Sequence, residues 1–187
     1  MRKYSVSFLG RDCPGVVAAV SCLLGENHCN IVAMTQTTLS GEFAAIFVLE
    51  APEELDMETL RKRIADGLAA AHVDLSFILR PAVGEQWGSG LELEPFVITI
   101  YGPDKPGLIG AISKIFGRHG VNIENLKALL GDMTDGHALF IFEVMVPKSI
   151  DLDRLRRELA HESKRLNLKA NVQHRDIFEA VNRVSSF

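Results

Sequence analysis

The sequence predicts an α+β protein made of two copies of a βαββαβ unit, and three observations carry that prediction. The first is an internal repeat. Asp12, Pro14 and Gly15 return as Asp104, Pro106 and Gly107, and Asn30-Ile31 returns as Asn122-Ile123, each 92 residues further on. The second is a change of period at the repeated words: a short apolar run with strand character precedes each, and apolar residues at helical spacing follow, so each is a strand-to-helix turn. The third is the order of the remaining elements, which is the same in both copies. With right-handed crossovers this order gives a four-stranded antiparallel sheet with two helices on one face, the ferredoxin-like split βαβ arrangement.

In the first copy, residues 3–9 read as a strand and 14–27 as a helix whose apolar stripe is Val16, Val17, Val20, Leu23 and Leu24. Proline fixes φ near its helical value and suits the first helical position, while the adjacent glycine permits close backbone approach. Strands over 30–39 and 42–50 are joined at Ser40-Gly41, a tight hairpin signal. A helix over 56–71 carries the stripe Met57, Leu60, Ile64 and Leu68, and a strand over 73–79 completes the unit. The second copy repeats this with 96–101, 106–119, 122–130, 137–146, 152–165 and 168–174. Its hairpin loop, 131–136, is longer, and Asp151 is placed to cap the last of its two helices. Gly25 and Asn27, and then Gly117 and Gly120, are candidates for left-handed helix stops.

The chain thus divides into a first domain over 1–80, a linker over 81–94, a second domain over 95–175 and a tail over 176–187. In the tail, Ile177, Phe178, Val181 and Val184 have helical spacing. The third strand of each copy, with Ala44-Ala45-Ile46-Phe47-Val48 and Leu139-Phe140-Ile141-Phe142, is apolar at consecutive positions, so both of its faces should be covered. Helices cover one face. The other is expected to meet the sister domain, the tail helix or another chain, and a homo-oligomer such as a dimer is expected on that ground.

A net charge of −4 gives no broad attraction to nucleic acid. No apolar stretch approaches 18 residues and no cleavable leader follows Arg2 and Lys3, so a cytosolic location without membrane partners is expected. Cys13, Cys22 and Cys29 all lie in the first copy, where their counterparts Lys105, Lys114 and Val121 are not cysteines. Their spacing fits no metal pattern, and they read as buried or half-buried thiols in a reducing compartment; no metal or other cofactor is expected.

A strand, Asp-x-Pro-Gly followed by two apolar residues, a helix, and Asn-Ile opening the next strand, all within a unit of this size, resemble the ACT domain. The two-copy chain is similar to the tandem ACT proteins of the glycine cleavage system transcriptional repressor group. That resemblance implies a non-catalytic regulatory module binding an amino acid or similar small ligand at an interface between ACT units, and acting on a regulatory protein partner. Carried over residue by residue, the implied contacts are Asp12, Pro14 and Gly15 with Asn30 and Ile31, and Asp104, Pro106 and Gly107 with Asn122 and Ile123. Helix N-terminal amides near Val16 and Leu108 suit a carboxylate, an aspartate suits an ammonium, and an asparagine amide suits either.

Each of these residues has a second, purely structural reading. An aspartate ahead of a helix can bond turn amides, an asparagine can bridge helix end to strand, and the glycines can serve packing. His28 stands where the second copy has Gly120, so the two copies need not bind equally.

Other classes fit less well. Acyl-phosphate hydrolysis on this architecture needs a loop of amides and an arginine to cradle phosphate, whereas here the loop holds a proline and an aspartate, and Arg11 has Pro103 as its counterpart. An RNA-binding sheet would display Phe140 and Phe142, but basic flanks are lacking and core packing accounts for both. A module acting through protein contact alone, without a small ligand, remains the alternative function.

Overall fold

The computed structural model describes residues 1–82, 87–130 and 136–183, and it forms two compact units, Met1–Glu85 and Gln86–Phe187. Unit 1 runs β1 (Arg2–Arg11), α1 (Val16–Glu26), β2 (Asn30–Leu39), β3 (Glu42–Ala51), α2 (Met57–Ala70) and β4 (Leu75–Pro81). Unit 2 runs β5 (Leu93–Pro103), α3 (Leu108–Arg118), β6 (Asn122–Leu130), β7 (His137–Pro147), α4 (Leu152–Arg165) and β8 (Lys169–His174), followed by α5 (Arg175–Arg183). Both sheets are four-stranded and antiparallel, in the orders β2-β3-β1-β4 and β6-β7-β5-β8. This is the α+β architecture the sequence predicts, twice over. The long second hairpin loop and Val184 lie outside the described residues.

Each unit buries its own core between sheet and helices. In unit 1, β1 contributes Val6 and Phe8, β3 contributes Phe43, Phe47 and Leu49, and the helices contribute Val20, Leu24, Leu60 and Ile64. Phe8 and Phe47 meet edge to face at 5.7 Å, and in unit 2 Phe116 and Phe142 do so at 5.4 Å. Each such side chain contributes roughly 1.5 to 3 kcal/mol by leaving water.

Helix boundaries differ from expectation for a shared reason. Pro14 and Pro106 precede their helices instead of opening them, and Gly15 and Gly107 occupy the N-cap positions at φ 92° and 89°. A β-carbon at either glycine would meet nothing within 4 Å, so the requirement there is positive φ and not close approach within the unit. At the other end, every one of α1 to α4 closes with a left-handed residue: His28, His72, Gly120 and Asn167. The amide after each bonds back to the carbonyl five residues earlier, as in Cys29 N to Leu24 O at 3.0 Å and Val121 N to Phe116 O at 3.0 Å. Gly25 and Gly117 remain inside their helices and Asn27 has φ −89°, so Gly120 alone of the four expected stops is left-handed. Closure over 71–73 and 166–168 also delays β4 to Leu75 and β8 to Lys169.

Helix α4 starts as its sequence indicates, and α2 starts one residue later than expected because Asp56 is its cap and not its first residue. Asp56 Oδ1 accepts from Thr59 N at 2.7 Å, and Asp151 Oδ1 from Arg154 N at 2.9 Å. Ser40 and Gly41 both have positive φ, the two-residue turn suited to a twisted hairpin. Strand β4 extends to Pro81, which is tolerated because β4 is an edge.

The two sheets differ on the face away from the helices. In unit 2, α5 packs against β5 and β8, and Val97, which points away from the core, is 3 % exposed. In unit 1 the corresponding face leaves Leu9, Ile46 and Ile78 exposed around a depression of about 450 Å³. Cys29 is buried, and burial pushes its thiol pKa up, with Arg63 opposing more weakly. Cys13 and Cys22 are exposed, contrary to the buried or half-buried expectation, because they fall on the turn and on the outer side of α1. Among the described residues, no helix is long and apolar enough to cross a membrane.

Candidate functional site

The turn between β1 and α1 is held from two sides. Asp12 N donates to Gly41 O at 2.9 Å, which fastens the turn to the β2–β3 hairpin, and Val16 N donates to Cys13 O at 3.2 Å. The Asp12 carboxylate, exposed, accepts from Thr38 Oγ1 at 3.4 Å. Around it lies an open depression of about 360 Å³ lined by Asp12, Cys13, Pro14, Gly15, Gln36 and Thr38, with the amide-bearing first residues of α1 at its side. In unit 2, Asp104 N likewise donates to Gly136 O at 3.1 Å, and Leu108 N reaches Lys105 O only at 3.5 Å. Asp104, Pro106 and Gly107 are all exposed. Val16 is therefore already engaged as a donor, and Leu108 is engaged more loosely.

Gln36 and Thr38 are the residues that sequence reasoning missed. The hairpin register supplies the signal, since Ser40-Gly41 sets Leu39 opposite Glu42 and Arg11 opposite Glu42 as well, bringing the end of β2 beside the turn. At a spacing of 92, Gln36 and Thr38 correspond to Ala128 and Leu130. The first turn is thus framed by polar side chains, and the second copy has apolar residues at those positions.

Asn30 and Ile31 lie at the opposite end of β2, where Asn30 pairs with Glu50. Eight residues of strand separate Asn30 from Thr38, roughly 25 Å. Unit 2 repeats the separation, with Asn122 opposite Met145. One unit therefore brings Asp12, Pro14 and Gly15 together and leaves Asn30 and Ile31 far away. Ile31 and Ile123 pack against their cores, and both strands carry a bulge just after them. Asn30 is exposed, and Asn122 lines a separate cleft of about 610 Å³ with Trp87, Leu93, Glu124 and Met145.

The sequence pattern of the ACT domain matches residues 5–77 and 94–173, one match on each unit. The chain belongs to the ACT domain family. ACT domains are small-ligand-binding regulatory modules. The UPF0237 proteins of Methanopyrus kandleri and Pyrobaculum aerophilum are 30 % and 32 % identical to this chain over 88 and 95 residues. Those stretches are 47 % and 49 % of this chain but 96 % and 100 % of the relatives, so each relative matches about half of this ACT pair. Two solved structures match along most of the chain. An unknown protein from Galdieria sulphuraria superposes with a TM-score of 0.74 at 19 % identity, over 92 % of this chain and 98 % of its own. A chain provisionally described as a glycine cleavage system transcriptional repressor does so with a TM-score of 0.65 at 16 % identity, over 92 % and 96 %. At such identities the likeness is one of fold.

Proposed function

We propose that this tandem ACT protein is a non-catalytic regulatory module that binds an amino acid or similar small zwitterion between ACT units of two copies of the chain. The observation that carries this reading is the separation of Asp12 from Asn30 along an exposed edge strand. β2 is the free edge of its sheet, and its residues beyond Ile31 are exposed, Leu39 at 75 %. Such an edge offers a row of unpaired backbone groups for pairing with another strand. Antiparallel pairing of β2 with β2 of a second copy, about a two-fold axis near Met34-Thr35, sets Asn30 opposite the second copy's Leu39. Asn30 then faces the turn of the other copy, and each interface holds two identical sites.

In such a site the Asp12 carboxylate takes the ammonium, and the first amides of α1 beyond Val16 take the carboxylate. The Asn30 amide bonds either end. Open space above Gly15 leaves room for the ligand backbone. A five-atom ligand such as glycine gains at most about 7 to 8 kcal/mol, a micromolar constant at best, which suits a concentration sensor. The likeness to a provisionally described glycine cleavage repressor supports a role in transcriptional control of amino-acid metabolism, exerted through a protein partner.

Thermal unfolding against the twenty amino acids at millimolar concentration tests the reading. The midpoint rises with one or a few of them, following RT ln(1 + [L]/Kd), and the rise disappears in Asp12→Ala/Asp104→Ala. No rise with any amino acid leaves the protein-contact module without a small ligand as the function.

A further inference from the structure

The two units carry the same pair of helices but different grooves between them. In unit 1, α1 and α2 close on each other: Leu23 lies so near Gly67 that a β-carbon there would fall 2.2 Å from Leu23 Cδ1. In unit 2, Glu162 holds the position of Gly67, and a groove of about 560 Å³ stays open between α3 and α4 above Ala111 and Ile115. Its walls are basic. Five arginines and lysines line it against two carboxylates, a surplus of three positive charges on a chain whose net charge is −4.

Pairing within α4 and across to α3 uses only part of that charge. Glu158 takes Arg118 at 3.1 Å, Arg154 at 3.2 Å and His119 at 3.3 Å, and Glu162 takes Arg165 at 2.6 Å. Both groove carboxylates are then occupied. Lys114 has no ion-pair or hydrogen-bond partner among the described residues, and Arg157 has only exposed Asp151, outside the groove, at 3.7 Å. His161 adds a further donor on the same wall. The duplication supplies the control, because Lys114, Arg118, Arg154 and Arg165 correspond to Cys22, Glu26, Thr59 and Ala70. Arg157 alone has a basic counterpart, Lys62, so four of the five positive charges stand in one copy only, where the groove is open.

We propose that the groove between α3 and α4 of unit 2 binds a small phosphorylated metabolite bearing two or more phosphate groups, held by Lys114 and Arg157 with Arg118 beside them. Arginine forks and a lysine ammonium match phosphate oxygens, and the volume is that of an ordinary small-ligand site. A terminal phosphate carries about 1.5 to 2 negative charges near neutral pH, so a surplus of three calls for a diphosphate or for two phosphate groups. This site is separate from the turns and strand starts above, and either reading stands if the other fails.

Calorimetric titration of the full chain with inorganic pyrophosphate tests the assignment. Pyrophosphate binds the wild type, more weakly at 200 than at 50 mM salt, ~1:1 per chain. Lys114→Glu/Arg157→Glu weakens it at least tenfold, while Lys62→Glu, which reverses the residue corresponding to Arg157 in unit 1, leaves it unchanged. Both substituted positions in unit 2 are exposed; unchanged circular dichroism verifies the fold, and the milder Arg157→Gln gives a smaller loss in the same direction. Adenosine diphosphate competing with pyrophosphate extends the assignment to nucleotides. Absence of binding, equal binding in the double variant, tighter binding of tricarballylate than of pyrophosphate, or binding of a DNA duplex without binding of pyrophosphate would each overturn it.

Discussion

At the end of the first helix, unit 1 joins Asn27 to Arg63 and unit 2 joins His119 to Glu158, at corresponding positions of the repeat. In unit 1, buried Asn27 joins two groups: its Nδ2 donates to Leu23 O at 2.8 Å and its Oδ1 accepts from Arg63 Nη1 at 3.2 Å. In unit 2 the acceptor has moved to the other helix, as Glu158, and draws two arginines in addition to the histidine. Duplication kept the backbone and the place of the tether while reversing its polarity. Reversal is what makes the second groove able to hold arginines that the first could not, since Arg63 would repel them. A fold can thus be repeated closely while the chemistry of its surfaces diverges.

The glycines that both units place against the approach to their last strand should show the largest effects. Gly10 lies against the Asp74 carbonyl, where a β-carbon would come within 2.2 Å, while at Gly102 the nearest carbonyl, Asn167 O, stands at 3.0 Å. Gly10→Ala is expected to cost about 3 kcal/mol in urea unfolding through its contact, and Gly102→Ala about 2 kcal/mol, from a looser contact plus the strain of an alanine at φ 157°. Equal costs would break the comparison.

The next pair should stabilise. His28 adopts φ 57° where unit 2 uses Gly120 at 65°, so His28→Gly should gain about 1 kcal/mol and Gly120→His should lose a similar amount. Ser163 occupies the core position of Leu68, buried at 2 % exposure with its hydroxyl unpartnered. Ser163→Ala should stabilise unit 2 by about 1 kcal/mol, read from hydrogen exchange in β7.

Acid should separate the units most finely. Burial opposes charge on Glu158, but hydrogen bonds from His119, Arg154 and Arg118 outweigh it and hold the carboxyl below its ordinary pKa. A carboxyl depressed on folding contributes stability above its unfolded pKa and loses it as pH falls through the folded value. Unit 2 should therefore weaken in acid, and Glu158→Gln should flatten that dependence while leaving unit 1 unchanged. In unit 1 Asp56 is held down chiefly by the backbone hydrogen bond from Thr59 and Glu53 by the N-terminal ammonium, so Asp56→Asn should remove part of that unit's acid limb.

The element order of both copies was legible because period and repeat reinforced each other: the stripe of α2, the hairpin at Ser40-Gly41 and the cap at Asp151 all stand where patterning puts them. Helix ends were less legible. Two of the four left-handed closures use His28 and His72, side chains that carry no strong stop signal, and a third uses Asn167, which the pattern did not single out, while Gly25 and Gly117 sit in helices. Sequence reasoning found the turn residues through their repetition, but spacing along the chain does not reveal that Asp12 and Asn30 lie at opposite ends of one strand. The basic groove was hidden for a similar reason. Lys114 and Arg157 come from different helices, and only packing sets the two walls face to face.

Mixing two variants of the chain tests the shared site most directly. Asp12→Ala/Asp104→Ala and Asn30→Ala/Asn122→Ala should each fail to bind the amino acid that stabilises the wild type. Unfolded together and refolded as a mixture, they should recover about a quarter of the wild-type sites, because half of the dimers are mixed and each mixed dimer rebuilds one of two sites. Recovery to that level places the turn and the asparagine of one site on different copies. A mixture that binds no better than either variant alone would contradict a site shared between chains.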